Sequence, residues 1–184
     1  MMTRSHIELD EAASNVKGEW VLLGETVSLL PSSGVRSQLQ NAAMEATLVH
    51  ARCLINFCSG DYGGRSTDRD IRPADFLGVD WWPRDEQFDR KLRGRVRFIN
   101  QELQHLPWQR VLNKAPLAVS VRLLAHEVHW GMHLFVEELQ AKQSVWHPTF
   151  EIQERYVAGL LPPLDGTAET VPHLAPARPV ATPP

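Results

Sequence analysis

A chain of 184 residues, 43% of them hydrophobic and 22% charged, has the composition of a globular protein. Its length suits one domain of about 100–150 residues with some chain left over. The formal net charge of −3 argues against nucleic-acid binding through overall charge, so that role would need a local basic patch. No run of about 18 apolar residues is present, and acidic residues stand where a signal peptide has its apolar core. We therefore expect a cytoplasmic protein without membrane partners.

Two amphipathic helices are predicted in the first third of the chain. Residues 5–30 carry apolar side chains at helical 3–4 spacing: Val16, Trp20, Leu23, Val27 and Leu30. The second pattern ends at Ser59 and Gly60, and its stripe is Leu39, Ala42, Ala46, Val49, Cys53 and Phe57. Both stripes are expected to be buried against other helices, because an amphipathic helix must cover its apolar face.

Glycine, aspartate and proline interrupt every periodicity between residues 61 and 84, yet apolar residues remain there: Phe76, Leu77, Trp81 and Trp82. We predict an ordered loop whose aromatic side chains cover one end of a bundle. A third helical stripe then follows at Phe88, Leu92, Val96, Ile99, Leu103 and Leu106. A fourth helix is predicted from about Leu117 to Gln143, with its stripe at Val121, Leu124, Val128, Phe135 and Leu139.

The predicted fold class is all-α, a four- to five-helix bundle over residues 5–160 with a long irregular loop. Residues 145–161 keep bulky apolar side chains and are predicted to pack as a short final helix. Residues 161–184 are rich in proline and poor in bulky apolar groups, so we predict a disordered tail.

Cysteine usage is typical of a reducing compartment. The two cysteines, Cys53 and Cys58, are five residues apart on the predicted second helix. Five residues turn a helix so that the two side chains diverge by about 140°. We therefore predict no disulfide between them, and we expect both to be small core residues.

Three histidines lie along one face of the predicted fourth helix: His126, His129 and His133. Their directions differ from that of the apolar stripe by roughly 145°. We expect a solvated or partner-facing stripe. A dimer interface anchored by Trp130 and a metal site completed by Glu127 or Glu137 are the alternatives. The spacing departs from H-E-x-x-H, so no metal and no cofactor are expected.

A basic run marks the predicted third helix: Arg90, Lys91, Arg93, Arg95 and Arg97. One interpretation is a solvated face balanced by acidic residues one turn earlier. The other is a phosphate-binding stripe for RNA that includes Arg93 and Arg97 and continues to His105. In that case arginine would neutralise phosphate charge and histidine would transfer a proton.

The segment His50-Ala51-Arg52 places a histidine on the same side of the second helix as Ala46 and Cys53. A hydrogen-bonded core histidine is one interpretation. The other is a binding role for His50 and Arg52 beside Asn100 and His105 of the third helix. In the second interpretation these four side chains form one shared polar cluster.

The segments EATLVHARCLINFCSG (45–60) and RFINQELQHLPWQR (97–110), joined by an aspartate- and tryptophan-rich loop, resemble small bacterial helical proteins with a fold similar to the HEPN superfamily. The resemblance covers about residues 15–142. It implies a helical bundle and a dimer. Active members carry R-x(4–6)-H and cleave RNA without metal. Here seven residues separate Arg97 from His105. The residues that the resemblance would make catalytic are His105, Arg97, Asn100 and Arg110. The resemblance also implies that the shared polar cluster of His50, Arg52, Asn100 and His105 falls in one cleft.

Three functional hypotheses follow. The first is a non-enzymatic bundle that acts by binding as a homodimer. The second is a metal-independent ribonuclease or toxin of a defence or toxin–antitoxin system, with RNA as substrate. The third is a metalloprotein that uses His126, His129 and His133.

Overall fold

The computed structural model describes residues 4–31, 37–59, 70–79, 81, 94–96, 99 and 114–164. All regular secondary structure in these ranges is α-helical, which confirms the predicted fold class. The helices are α1 (His6–Ser28), α2 (Gln38–Ser59), α3 (Pro73–Leu77), α4 (Lys114–Ala141) and α5 (His147–Leu160). Residues 94–96 and 99 are also helical, and Val96 and Ile99 are buried, as the third stripe predicts. None of the described helices is both long and apolar enough to cross a bilayer.

Hydrogen bonds between helices establish their order. Thr47 of α2 donates to Thr26 of α1 over 2.9 Å, and His50 of α2 meets Glu19 of α1, so α1 and α2 are antiparallel. On α4, His126 and His133 meet the end and the middle of α5, respectively, which makes α4 and α5 antiparallel too. The four long helices form a bundle in which α1 contacts α2 and α5, and α4 contacts the same two.

Both ends of α1 have charged or polar partners. Ser5 and Glu8 form a reciprocal capping box at its start, which satisfies backbone N–H groups that have no partner within the helix. At its other end, the buried Arg122 side chain donates to the Leu30 carbonyl. A cation at a helix C-terminus opposes the negative end of the helix dipole. The Arg122 contact joins the end of α1 to α4.

Aromatic rings close one end of the bundle. Phe76, on the short α3, packs its ring within 5.6–6.1 Å of Phe57, Phe135 and Phe150. The Trp81 ring lies 5.7 Å from that of Phe135. The prediction that aromatic residues of this segment cover an end of the bundle is thus confirmed for Phe76 and Trp81, but the prediction of an irregular loop is wrong for Pro73–Leu77, which is helical. Trp82 lies outside the described residues.

The first and last long helices approach closely at Gly24. A Cβ atom added there would lie 3.1 Å from Leu160 and 3.2 Å from Val157 of α5. Glycine therefore allows α5 to pack directly against α1. Just beyond α5, Leu161 packs against the core, while residues 165–184 of the predicted tail lie outside the described residues.

The two cysteines are both free. Cys58 is buried and burial raises the pKa of its thiol to about 12. Cys53 is exposed, so the prediction of a core position is correct for Cys58 and wrong for Cys53. The reason lies in how α2 is oriented in the bundle.

Candidate functional site

The outer face of α2 is apolar. The stripe predicted from the sequence to be buried is the exposed one: Leu39 is 70% exposed and Val49 44%, Ala42 and Cys53 are exposed, and Ala46 is half-buried. The core-facing side chains are instead Met44, Leu48, Ala51 and Ile55. On a helical wheel this set points about 160° away from the predicted stripe, on nearly the opposite side of α2. The prediction of a buried stripe is therefore wrong for these five residues and correct only for Phe57.

Leu22 of α1 and Leu29, the residue that follows α1, lie on the side of α1 next to this outer face. Thr26 faces α2 through its hydrogen bond with Thr47. Leu22 and Leu29 lie one turn before and after Thr26, and they are 41% and 52% exposed. We call Leu22, Leu29, Leu39, Ala42, Ala46, Val49 and Cys53 the outer apolar face. Contiguous apolar surface of this kind commonly marks a protein-interaction site.

His50 forms a polar contact at the edge of the outer apolar face. Its Nδ1 lies 2.8 Å from Oε2 of Glu19 on α1, and its side chain is 16% exposed. Because the two helices are antiparallel, the contact joins α2 to α1. His50 is thus a hydrogen-bonded histidine at a helix–helix seam, one of the two interpretations of the sequence.

Arg52 does not share this environment. It is half-buried and follows His50 by two residues, which turns a helix by about 200°. The two side chains therefore project from opposite sides of α2. Asn100 and His105 lie outside the described residues, so the cleft that joins them to His50 and Arg52 stays a prediction.

The thiol of Cys53 lies one turn from His50 and next to the same glutamate. Partial burial of the thiol against α1, followed by the charge of Glu19 and a hydrogen bond to it, raises the pKa of Cys53 although the residue as a whole is exposed. A thiol with a raised pKa remains protonated at neutral pH and is a poor nucleophile. The group Glu19, His50 and Cys53 therefore lacks the electrostatics of a cysteine nucleophile.

The remaining predicted catalytic and phosphate-binding residues are not described: Arg93, Arg97, Asn100, His105 and Arg110 lie outside the described residues. One member of the basic run, Arg95, is described. Its guanidinium forms two hydrogen bonds, of 2.8 and 3.1 Å, with Glu127, whose side chain is 2% exposed. Arg95 thus neutralises a buried carboxylate of α4 instead of belonging to a purely solvated stripe.

The three histidines of α4 face α5 and α1 of the same chain. His126 donates from Nε2 to the Pro162 carbonyl over 2.8 Å. His129 accepts at Nδ1 from the Trp20 indole N–H over 3.2 Å. His133 hydrogen-bonds to Glu154 of α5. The histidines are half-buried and bonded within the chain, so the stripe is only partly solvated, and it points away from the apolar stripe of α4 as predicted.

Burial and charge separate the protonation behaviour of two of these histidines. Burial lowers the pKa of His129 to about 4, and the neighbouring His126 and His133 act in the same direction. The hydrogen bond to Glu154 raises the pKa of His133, assisted by the charges of Glu154 and Glu137. His129 is thus a neutral acceptor, whereas His133 favours the cation that joins two carboxylates.

Metal ligation has no support from these contacts. Within the described residues, no three histidine, cysteine or acidic side chains are grouped so that they could hold an ion. Glu127, a possible fourth ligand in the sequence-based hypothesis, projects towards Arg95 instead. The partners Trp20, Glu19 and Glu154 are not foreseen from the sequence, because each comes from a helix far away along the chain.

Comparisons with known proteins give no relative. No protein-family model matches the sequence, and no curated protein and no solved structure matches the chain.

Proposed function

We propose that this protein acts by binding as a homodimer, and that the outer apolar face is the surface that the second copy covers. The observation that carries the proposal is the exposed stripe of α2, whose apolar residues recur at 3–4 spacing over four turns. Helices present such stripes where they pack against another helix. The resemblance to HEPN bundles, which usually form dimers, supports the same proposal.

The chemistry of the described polar groups favours binding over catalysis. His50 is bonded to Glu19, Arg95 neutralises the buried Glu127, and the thiol of Cys53 is protonated. Catalytic groups require an accessible nucleophile, acid or base whose pKa matches its task. These side chains instead stabilise contacts between helices.

The association state of purified protein tests the proposal. Sedimentation velocity at about 50 µM, a concentration that populates a dimer of micromolar affinity, should show a dimer. Val49→Glu, which places a charge in the exposed stripe, should give a folded monomer, because unpaired charges are not tolerated at an interface core. Far-ultraviolet circular dichroism verifies the fold.

Ile152→Glu is the matched control, since Ile152 is 70% exposed on α5 and lies outside the outer apolar face. This variant should remain dimeric. A monomeric wild-type protein would overturn the proposal, as would a Val49→Glu variant that sediments with the wild type.

A further inference from the structure

The arrangement of side chains on α2 also specifies how two copies would meet. We propose that the α2 helices of two copies pack antiparallel about a two-fold axis. The axis crosses the outer apolar face at the level between residues 47 and 48, so that the Glu45 of each copy lies near the Arg52 of the other. This inference rests on the proposed homodimer and adds its orientation and register.

The outer stripe follows a heptad pattern. Leu39, Ala46 and Cys53 occupy equivalent positions a, and Ala42 and Val49 occupy positions d. In an antiparallel pair with the stated axis, Ala46 lies opposite the partner's Val49, and Ala42 lies opposite the partner's Cys53. Each layer then combines a small side chain with a larger one, which allows the helices to approach to about 8 Å.

The two flanks of the stripe differ. On one flank are Ala43, His50 and Phe57, which are buried or bonded towards α1 and the core. On the other flank, Gln38 and Glu45 are exposed and Arg52 is half-buried. In a parallel pair, the flank of one copy that lies next to α1 would face the charged flank of the other copy, and this unfavourable contact would occur twice. An antiparallel pair instead brings like flanks together.

Charge favours the antiparallel register. Glu45 and Arg52 are seven residues apart and occupy the same heptad position on the charged flank. Antiparallel packing with the stated axis places each Glu45 within about two residues of the level of the partner's Arg52, so two ion pairs form symmetrically. On the opposite flank, the exposed Leu22 of α1 lies near the level of the two-fold axis and therefore near its counterpart. The arrangement covers the outer apolar face from Ala42 to Cys53, and it places Leu39 opposite the partner's Asn56.

A charge exchange tests the pairing. Glu45→Arg alone and Arg52→Glu alone each create two like-charge contacts and should weaken the dimer by about 3- to 10-fold. The double variant Glu45→Arg/Arg52→Glu should restore the wild-type dissociation constant. The equivalent exchange of Glu151 and Arg155, an exposed ion pair on α5, is the control and should leave dimerisation unchanged. A double variant that is as weak as the sum of the two single variants would overturn the pairing.

Cysteine cross-linking tests the orientation. The wild-type protein, which has Cys53, and an Ala42→Cys/Cys53→Ala variant are oxidised separately and as an equimolar mixture. In the antiparallel register position 42 lies directly opposite the partner's position 53, whereas each of these positions is about 16 Å along the helix axis from its own counterpart, too far for a disulfide. Only the mixture should therefore give cross-linked dimers.

The outcomes separate this inference from the proposed function. Cross-linking of the Ala42→Cys/Cys53→Ala variant with itself, or of the wild-type protein with itself through Cys53, would show a different register, and it would overturn the inference while the homodimer stands. A dimer that does not cross-link in the mixture would use another face and would also overturn it. A monomeric wild-type protein would remove both proposals.

Discussion

The outer side of α2 and the histidine side of α4 differ in both polarity and exposure. The first is apolar and exposed, with Leu39 and Val49 at its surface; the second is polar and covered, with three half-buried histidines beneath α5. Both sides lie well away from the apolar stripe that each helix turns to the core. The comparison shows that periodicity identifies the faces of a helix, whereas the neighbouring elements determine which faces are covered.

The covered face is stabilised by hydrogen bonds. Polar groups taken out of water require partners, and each of the three histidines has one, from α1, from α5 or from the chain just after α5. The apolar face of α2 has no such requirement within the chain. It can remain uncovered in one copy and contribute binding energy when a second copy removes it from water.

The largest difference in stability is expected between alanine variants of two leucines on α2. Leu48→Ala should lower the free energy of unfolding by about 2–5 kcal/mol, because Leu48 is fully buried in the core. Leu39→Ala should change it by less than about 0.5 kcal/mol in the monomer, because Leu39 is mostly exposed. Urea denaturation of dilute protein measures both. Equal losses would mean that the outer apolar face is part of the core.

The second-largest effect is the pH dependence that His129 gives to the free energy of unfolding. The folded pKa of about 4 lies below the ordinary value of 6.5, so the unfolded chain binds the proton more tightly. The contribution of His129 to stability is therefore complete above pH 6.5 and is lost as pH falls towards 4, by up to about 3 kcal/mol. Denaturation at a series of pH values should show this loss in the wild type. It should be smaller in His129→Gln, whose amide oxygen can still accept from Trp20.

His133 should show the opposite sign. Its folded pKa is raised by Glu154, so its contribution is complete below the ordinary pKa and declines as pH rises through the folded value. A nuclear magnetic resonance titration of the imidazole protons should therefore place the midpoint of His133 above that of His129. Coincident midpoints would contradict the difference in environment within this stripe.

The smallest effect is expected at His126. Loss of its hydrogen bond to the Pro162 carbonyl in His126→Ala should lower the free energy of unfolding by about 1 kcal/mol. His126→Gln, which retains a donor, should lose less. Thermal denaturation of the two variants measures the difference, and an unchanged His126→Ala protein would mean that the contact does not hold the chain after α5.

The sequence predicts the long helices well, since α1, α2, α4 and α5 each carry a clear period that begins or ends at proline, serine or glycine. It fails on the orientation of α2, because this helix has two apolar stripes and period alone does not choose between them. Size offered a signal: Met44, Leu48 and Ile55 fill more volume than Ala42, Ala46 and Cys53. The sequence does not predict the contacts of His50 with Glu19 or of His133 with Glu154, because contacts between distant helices produce no spacing pattern within either helix.

The direct packing of α5 on α1 has a consequence for the order of folding. Glu25 and Tyr156, which meet across these helices, are separated by 131 residues of chain. The antiparallel pair of α1 and α2 needs only a short closure and can form early, whereas the side of α1 that contains Gly24 must wait for the last helix to leave the ribosome. During synthesis, the nascent chain therefore exposes this side of α1 until α5 emerges, so the α1–α5 contact forms later than the α1–α2 pair.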